Sequence, residues 1–274
     1  MIIPMKSVQT KKYKKGGKAR LADVLKTSGD FITIDKTVEV LGGNRSDAAR
    51  LLARWANQGL LKRIQRGIYA PVSLAAFGAE QVLKDPWCLV PEIFPPAYIG
   101  GWSAAEYWGL TEQLFRGICV LTAKPLRKKE FNLQGIPFVV KQIDEKKMFG
   151  LKPVWRGQTK VFVSNPSRTI VDILDDPSLG GGIRHVNDCL NKFLKERSSE
   201  QKEMIEHAKK IDNGAVFKRL GFLLSLIPGY EDLAKECASN LTEGNAKLDP
   251  SLKCDRLIKK WKLWVPQKWK DDVK

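Results

Sequence analysis

The sequence predicts an α+β protein in which an N-terminal winged helix-turn-helix precedes a larger mixed domain, itself made of a small β-sheet and a helical half. Three observations predict it. Helical patterns recur before Gly59, the last of them after a glycine-containing break, and a hairpin pattern follows; this is the element order of a winged helix-turn-helix. Beyond Pro71 short strand-like runs give way, from Asn165 onward, to a succession of helices. A length of 274 residues leaves room for one small and one larger folded unit.

Lys6 to Arg20 contains KKYKKGGKAR, without apolar periodicity and with two consecutive glycines, and reads as a flexible basic arm, assigned to residues 1–17. Leu21, Val24 and Leu25 then form one apolar face of a short helix that Ser28 and Gly29 end. Phe31, Ile32 and Ile34 lead into a second helical stretch, Asp35 to Leu41, broken by Gly42, Gly43 and Asn44. The strongest helix runs from Arg45 toward Gly59, with Ala48, Leu51, Leu52 and Trp55 on one face. Asn44 suits its N-cap, Asp47 its positive first turn and Gly59 its stop. Leu60 to Ala70 alternates around Gly67 and completes a winged unit over residues 18–71.

In the larger domain, residues 72–274, helices are expected at Ser73–Lys84 and Ser103–Leu110, with a Pro-rich irregular stretch, Asp85 to Gly100, between them. Strands are expected at Ile118–Thr122, Ile136–Gln142, Val154–Arg156 and Lys160–Val163. Asn165 and Pro166 open the helical half, with helices at Pro166–Leu174, Ile183–Arg197, Glu200–Ile211, Ala215–Leu226 and Tyr230–Asn240. Lys260–Val265 reads as a last strand.

Charge narrows the function. The net charge is +17, and residues 1–71 hold 15 Lys and Arg against 5 Asp and Glu. A basic front end concentrates near polyanions. With Ala48, Leu51, Leu52 and Trp55 inward, Ser46, Arg50, Ala53 and Asn57 lie along the opposite line, with Arg54 beside them and Arg45 at the helix start. Arginine can hydrogen-bond guanine at two points, asparagine can do the same to adenine, and Ala53 allows close approach. On the hairpin, Lys62, Arg63, Gln65 and Arg66 are placed to hold phosphates or reach a groove edge.

Catalysis is not indicated. No GxxxxGK[ST], HExxH or GxSxG motif occurs, and Asp and Glu form no recognisable metal cluster, so no catalytic residue, metal or cofactor is expected. His185 and His207 fall on helices among charged residues and read as surface side chains. The five cysteines are odd in number and lack a CxxC pair, which argues against a disulfide framework or a zinc site. No apolar run is long enough to span a membrane, and no signal peptide is recognisable, so a cytoplasmic protein is expected. The competing enzyme reading is a basic nuclease docking through the winged helix; a third is a pure protein-interaction module.

Further along, Arg168 and Asp172 stand four apart and could pair on a helix anchored by Ile170, Val171, Ile173 and Leu174. Phe217, Leu220, Phe222, Leu223 and Leu224 read as core, leaving Lys218 and Arg219 as candidates for a partner surface. Trp261, Trp264 and Trp269 among lysines could stack on bases, although alternating Trp261, Leu263 and Val265 reads first as a half-buried strand.

These segments together resemble the AbiE-type abortive-infection antitoxins, the regulator halves of bacterial toxin–antitoxin operons. The resemblance rests on VEVLGGNRSDAARLLARWANQGLLKRIQRGIYAPV, on N-P-S-R-T-I-V-D from Asn165 to Asp172, on K-R-L-G-F-L-L from Lys218 to Leu224, and on L-D-P, Leu248 to Pro250, with W-x-L-x-V, Trp261 to Val265. It implies autorepression by binding inverted repeats in promoter DNA. It also implies opposition to a nucleotidyltransferase-like toxin through the C-terminal domain, as a type IV system in which no stable complex is required. A monomer in solution that binds DNA cooperatively would follow. The strongly basic arm before the first helix departs from the family pattern.

Overall fold

A computed structural model describes residues 16–72 and 85–269. Nearly all of the expected basic arm and all of the expected helix over Ser73–Lys84 lie outside the described residues. The chain divides into two compact units, Met1–Gln81 and Val82–Lys274.

The first unit is a winged helix-turn-helix. Its order is α1 (Gly17–Thr27), β1 (Ile32–Thr33), α2 (Ile34–Leu41), α3 (Arg45–Asn57), β2 (Leu61–Gln65) and β3 (Ile68–Pro71), with β3 central in an antiparallel sheet ordered β1-β3-β2. Helix α1 begins at Gly17 rather than after Arg20, because Lys18, Ala19 and Arg20 are good helix formers that add a turn without an apolar face to announce it. Thr33 caps α2, its hydroxyl accepting from Lys36 N at 3.2 Å, and Asn44 caps α3, its side-chain oxygen accepting from Asp47 N at 2.8 Å. The two helices meet at Gly42 (φ 70°) and Gly43 (φ 91°), left-handed positions that make the tight turn possible. Leu21, Val24, Ile32, Leu52, Trp55, Leu61 and Tyr69 form the core, and Leu51 packs half-buried against it. Leu25, expected on the apolar face, is exposed.

The second unit holds a six-stranded mixed sheet ordered β6-β7-β5-β4-β9-β8. The stretch expected to be irregular carries a 3-10 turn, Pro86–Leu89, then α4 (Val90–Ile93) and β4 (Ala97–Ile99), followed by α5 (Gly101–Tyr107). The remaining strands are β5 (Ile118–Thr122), β6 (Glu130–Leu133), β7 (Ile136–Gln142), β8 (Leu151–Arg156) and β9 (Thr159–Ser164). Against them fold α6 (Pro166–Asp175), α7 (Ile183–Glu196), α8 (Gln201–Ile211), α9 (Gly214–Leu224) and α10 (Glu231–Ser239). Helix α6 is the hub: every residue from Pro166 to Leu174 is buried, and it packs on α5, α7, α8 and α9.

A small sheet, β10 (Ala246–Lys247), β11 (Arg256–Ile258) and β12 (Leu263–Val265), closes the chain in the order β10-β12-β11. The single strand expected over Lys260–Val265 is instead a 3-10 turn, Lys259–Trp261, then Lys262 at φ 49°, then β12. The reversal at Lys262 takes Trp261 out of the strand alternation and sends its ring into the core, 2% exposed, against Gly221.

Candidate nucleic-acid interface

Helix α3 sorts its side chains as its periodicity requires. Ala48, Leu52 and Trp55 are buried, while Arg45, Ser46, Asp47, Arg50, Ala53, Arg54 and Asn57 are exposed. The outward face therefore carries no large apolar side chain and presents Arg50, Arg54 and Asn57 around the small Ser46 and Ala53. Two of its cations are held by carboxylates: Arg45 pairs with Asp35 of α2, and Arg50 with Asp47 one turn back. The Asp47 carboxylate also accepts from Asn44 Nδ2 at 2.9 Å, so the cap and the Arg50 head form one surface network. Asp35 and Asp47 read from the sequence only as helix residues; in the structure Asp35 reaches Arg45 across the packing of α2 beside α3, and Asp47 holds Arg50 from one turn back on α3 itself.

On the wing, β2 and β3 pair antiparallel with an irregularity between Arg63 and Gln65, and Gly67 (φ 84°) turns the chain. Arg63 and Arg66 are exposed; Lys62 and Gln65 are half-buried. Among the described residues no carboxylate pairs with Arg54, Arg63 or Arg66. The expected DNA-contacting residues thus share one small unit, on α3 and on the hairpin that follows it.

The candidates in the second unit have a different location. Arg168 and Asp172 do pair, Nε to Oδ1 at 2.9 Å, but both are buried, 0% and 2% exposed. Arg168 Nη2 donates to Tyr98 Oη at 3.1 Å, Tyr98 donates to Asp172 Oδ2 at 3.1 Å, and the guanidinium lies 4.2 Å from the centre of the Phe149 ring. Burial pushes the Asp172 carboxyl above the ordinary carboxylate range, with Arg168 and Tyr98 pulling it back. Burial also raises the Tyr98 phenol well above its usual value. Tyr98 carried no sequence signal, since it lies in the stretch read as irregular.

Lys218 and Arg219, expected as partner-surface candidates, are interior. Lys218 Nζ donates to Thr242 Oγ1, Glu243 O and Gly244 O at 2.9–3.2 Å, tying down a loop. Arg219 donates to Leu174 O at 2.7 Å, Asp175 O at 3.0 Å and Lys247 O at 3.0 Å, satisfying carbonyls at the end of α6. Apolar periodicity places a residue on a face, and here both faces of α9 are covered.

The histidines also differ from expectation. His207 is buried, its Nε2 3.5 Å from Glu203 Oε1, and burial lowers its proton affinity. His185 is half-buried, in contact with Thr111 Oγ1 at 2.7 Å. Trp261 and Trp269 are buried and unavailable for base stacking; Trp264 is half-buried. Among the described residues no group of three or more His, Cys, Asp or Glu could hold a metal ion, and no helix is long and apolar enough to cross a membrane.

No protein-family model matches the chain, and no curated protein matches it in sequence. Among solved structures it is similar to the crystal structure of the RV2827C protein from Mycobacterium tuberculosis, with a TM-score of 0.56 over 91% of each chain and 14% sequence identity. At that identity the likeness is one of fold.

Proposed function

We propose that the chain is a cytoplasmic DNA-binding regulator that reads duplex promoter DNA with α3 in the major groove and the β2–β3 wing against the backbone. Following its resemblance to AbiE-type antitoxins, it represses its own operon by binding inverted repeats, and its second unit opposes a nucleotidyltransferase-like toxin. The observation that carries the DNA reading is the outward face of α3, which is polar, cationic and small-centred, with exposed Arg63 and Arg66 on the adjoining wing that pair with no carboxylate among the described residues.

Magnitudes favour release of Arg50 onto DNA. Its pair with Asp47 is exposed, and such pairs contribute only about 0.2–1 kcal/mol. A bidentate arginine–guanine contact discriminates by about 1–3 kcal/mol. The test is a mobility-shift titration of the promoter region with wild type and Arg50→Glu, at several salt concentrations. Wild-type binding is expected to weaken steeply with salt and the variant to lose specific binding while its circular dichroism is unchanged. Equal affinity of the two proteins would remove α3 from the interface.

A further inference from the structure

We propose that the exposed face of the β8–β9 hairpin binds single-stranded nucleic acid, stacking bases on Trp155 and Phe162 and holding phosphate with Lys160. This site lies in the second unit and does not rest on the duplex-binding reading of the first.

Antiparallel pairing of β8 with β9 sets Trp155 opposite Lys160 and Pro153 opposite Phe162, so these four side chains share one face of the sheet. All four are exposed, Trp155 by 67% and Phe162 by 39%. Lys160 Nζ lies over the Phe162 ring, 5.0 Å from its centre, so a base that stacks there displaces the ammonium toward its phosphate, while Trp155 is the more open ring. Beside Phe162 a cavity of about 460 Å³ opens, walled mainly by Pro91, Pro95, Pro96, Met148 and Leu151, with Glu145 as its acid. It is an apolar slot with room for a planar ring.

Charge selects the occupant. Residues 146–162 contain Lys146, Lys147, Lys152, Arg156 and Lys160 and no Asp or Glu. On the reverse side of β8, Lys152 lies 5.5 Å from the Trp108 ring centre, and Arg156 lies 4.4 Å from that of Trp87 while also reaching Asp85 at 3.5 Å. Open rings with cations at their borders are the elements of a single-strand platform, in which each stacked base contributes about 1–3 kcal/mol. A duplex keeps its bases stacked on each other and cannot use such rings. A protein strand adding to the β8 edge would meet Pro153, which has no N–H to donate. The four side chains offer no acceptor for the 2′-hydroxyl proton, and recognition by stacking and charge does not distinguish the sugars, so RNA and DNA are expected to bind alike.

The test uses the full chain with fluorescently labelled oligo(dT) and oligo(rU), in parallel with duplex promoter DNA. The background carries Arg50→Glu and Arg54→Glu to silence the winged unit. The expected result is retained oligonucleotide binding, equal for both sugars, that Trp155→Ala weakens by at least about five-fold, the loss of one base stack. Lys160→Ala should make the salt slope shallower by about 0.7. Duplex promoter binding by the otherwise wild-type chain should not respond to Trp155→Ala. The proposal is overturned if Trp155→Ala and Phe162→Ala both leave oligonucleotide affinity unchanged, or if the Arg50→Glu and Arg54→Glu background has already abolished it. Polyglutamate competing as well as oligonucleotide would likewise overturn it, assigning the surface to an acidic protein.

Discussion

Removing the Asp172 carboxylate should destabilise the second unit far more than removing any surface carboxylate. Arg168 is 0% exposed; its Nε is held by Asp172 and its Nη2 by Tyr98, above the Phe149 ring, while its Nη1 has no hydrogen-bond partner among the described residues. In Asp172→Ala the guanidinium stays buried with a phenol and an aromatic face but no counter-charge, and breaking a buried pair in this way costs about 3–5 kcal/mol. Ordinary domains have a margin of about 5–15 kcal/mol, so the unit would lose a large share of its stability. The exposed pair Lys235–Asp232, with Asp232 96% exposed, is the internal control: Asp232→Ala should cost less than about 1 kcal/mol. Urea unfolding followed by tryptophan emission reports the right region, since seven of the eight tryptophans lie in the second unit. Arg168→Met with Asp172→Leu should recover part of the loss, because it removes the orphan charge and refills the space with apolar atoms, leaving only the buried Tyr98 hydroxyl without its two partners. A cost below about 1 kcal/mol for Asp172→Ala would refute the reasoning, and a double variant as unstable as the single would assign the loss to packing rather than charge.

His207 is held below its ordinary pKa of about 6.5 by burial, with Glu203 opposing and Arg168 and Lys210 reinforcing the shift. Its contribution to stability is therefore full above about pH 6.5 and is lost as pH falls through the folded value, where the unfolded chain takes up the proton first. Urea midpoints from about pH 7.5 to about pH 5.5 should fall less for His207→Gln than for wild type; parallel curves would count against it. Gly221→Ala should lower the melting temperature, because an added Cβ would stand 2.1 Å from Trp261 Cζ3 in a packed core, and overpacking costs about 1–3 kcal/mol. An ordinary helical Gly→Ala change gains about 1 kcal/mol, so a raised melting temperature would show that Trp261 moves aside.

The winged unit was legible because its signals are local. Asn44 caps α3 as its side chain dictates, Gly67 turns the wing, and the burial of Ala48, Leu52 and Trp55 follows from helical spacing alone. The pairing of Arg168 with Asp172 was legible for the same reason, being one helical turn apart. What was not legible depends on distant chain. Nothing near Arg219 indicates that it reaches the end of α6, and nothing near Lys218 indicates the loop at residues 242–244. Trp261 read as a strand residue because alternation cannot register a single left-handed residue at Lys262. Strand β6 was missed since Glu130 to Leu133 is mostly exposed and its pattern weak.

The same distinction bears on where an antitoxin activity could reside. The second-unit segments that carry the family resemblance are largely interior: Arg168 and Asp172 pair with each other, Gly221 makes room for Trp261, and Asp249, 2% exposed, accepts from Ile183 N at 2.9 Å to cap α7. Such residues specify a fold, and a partner cannot touch them without unfolding it. Substituting Lys218 or Arg219 should therefore lower any antitoxin function only in proportion to lost stability, seen as co-variation of toxin rescue with urea midpoint. Substitutions at exposed positions such as Leu114, 80% exposed, or Trp155 leave the core intact, and a surface role there would show as lost rescue at unchanged stability. If Arg219→Ala abolished rescue in a chain that melted like wild type, the interior reading of that segment would fail, and the guanidinium that now satisfies the end of α6 would have to act on the partner itself.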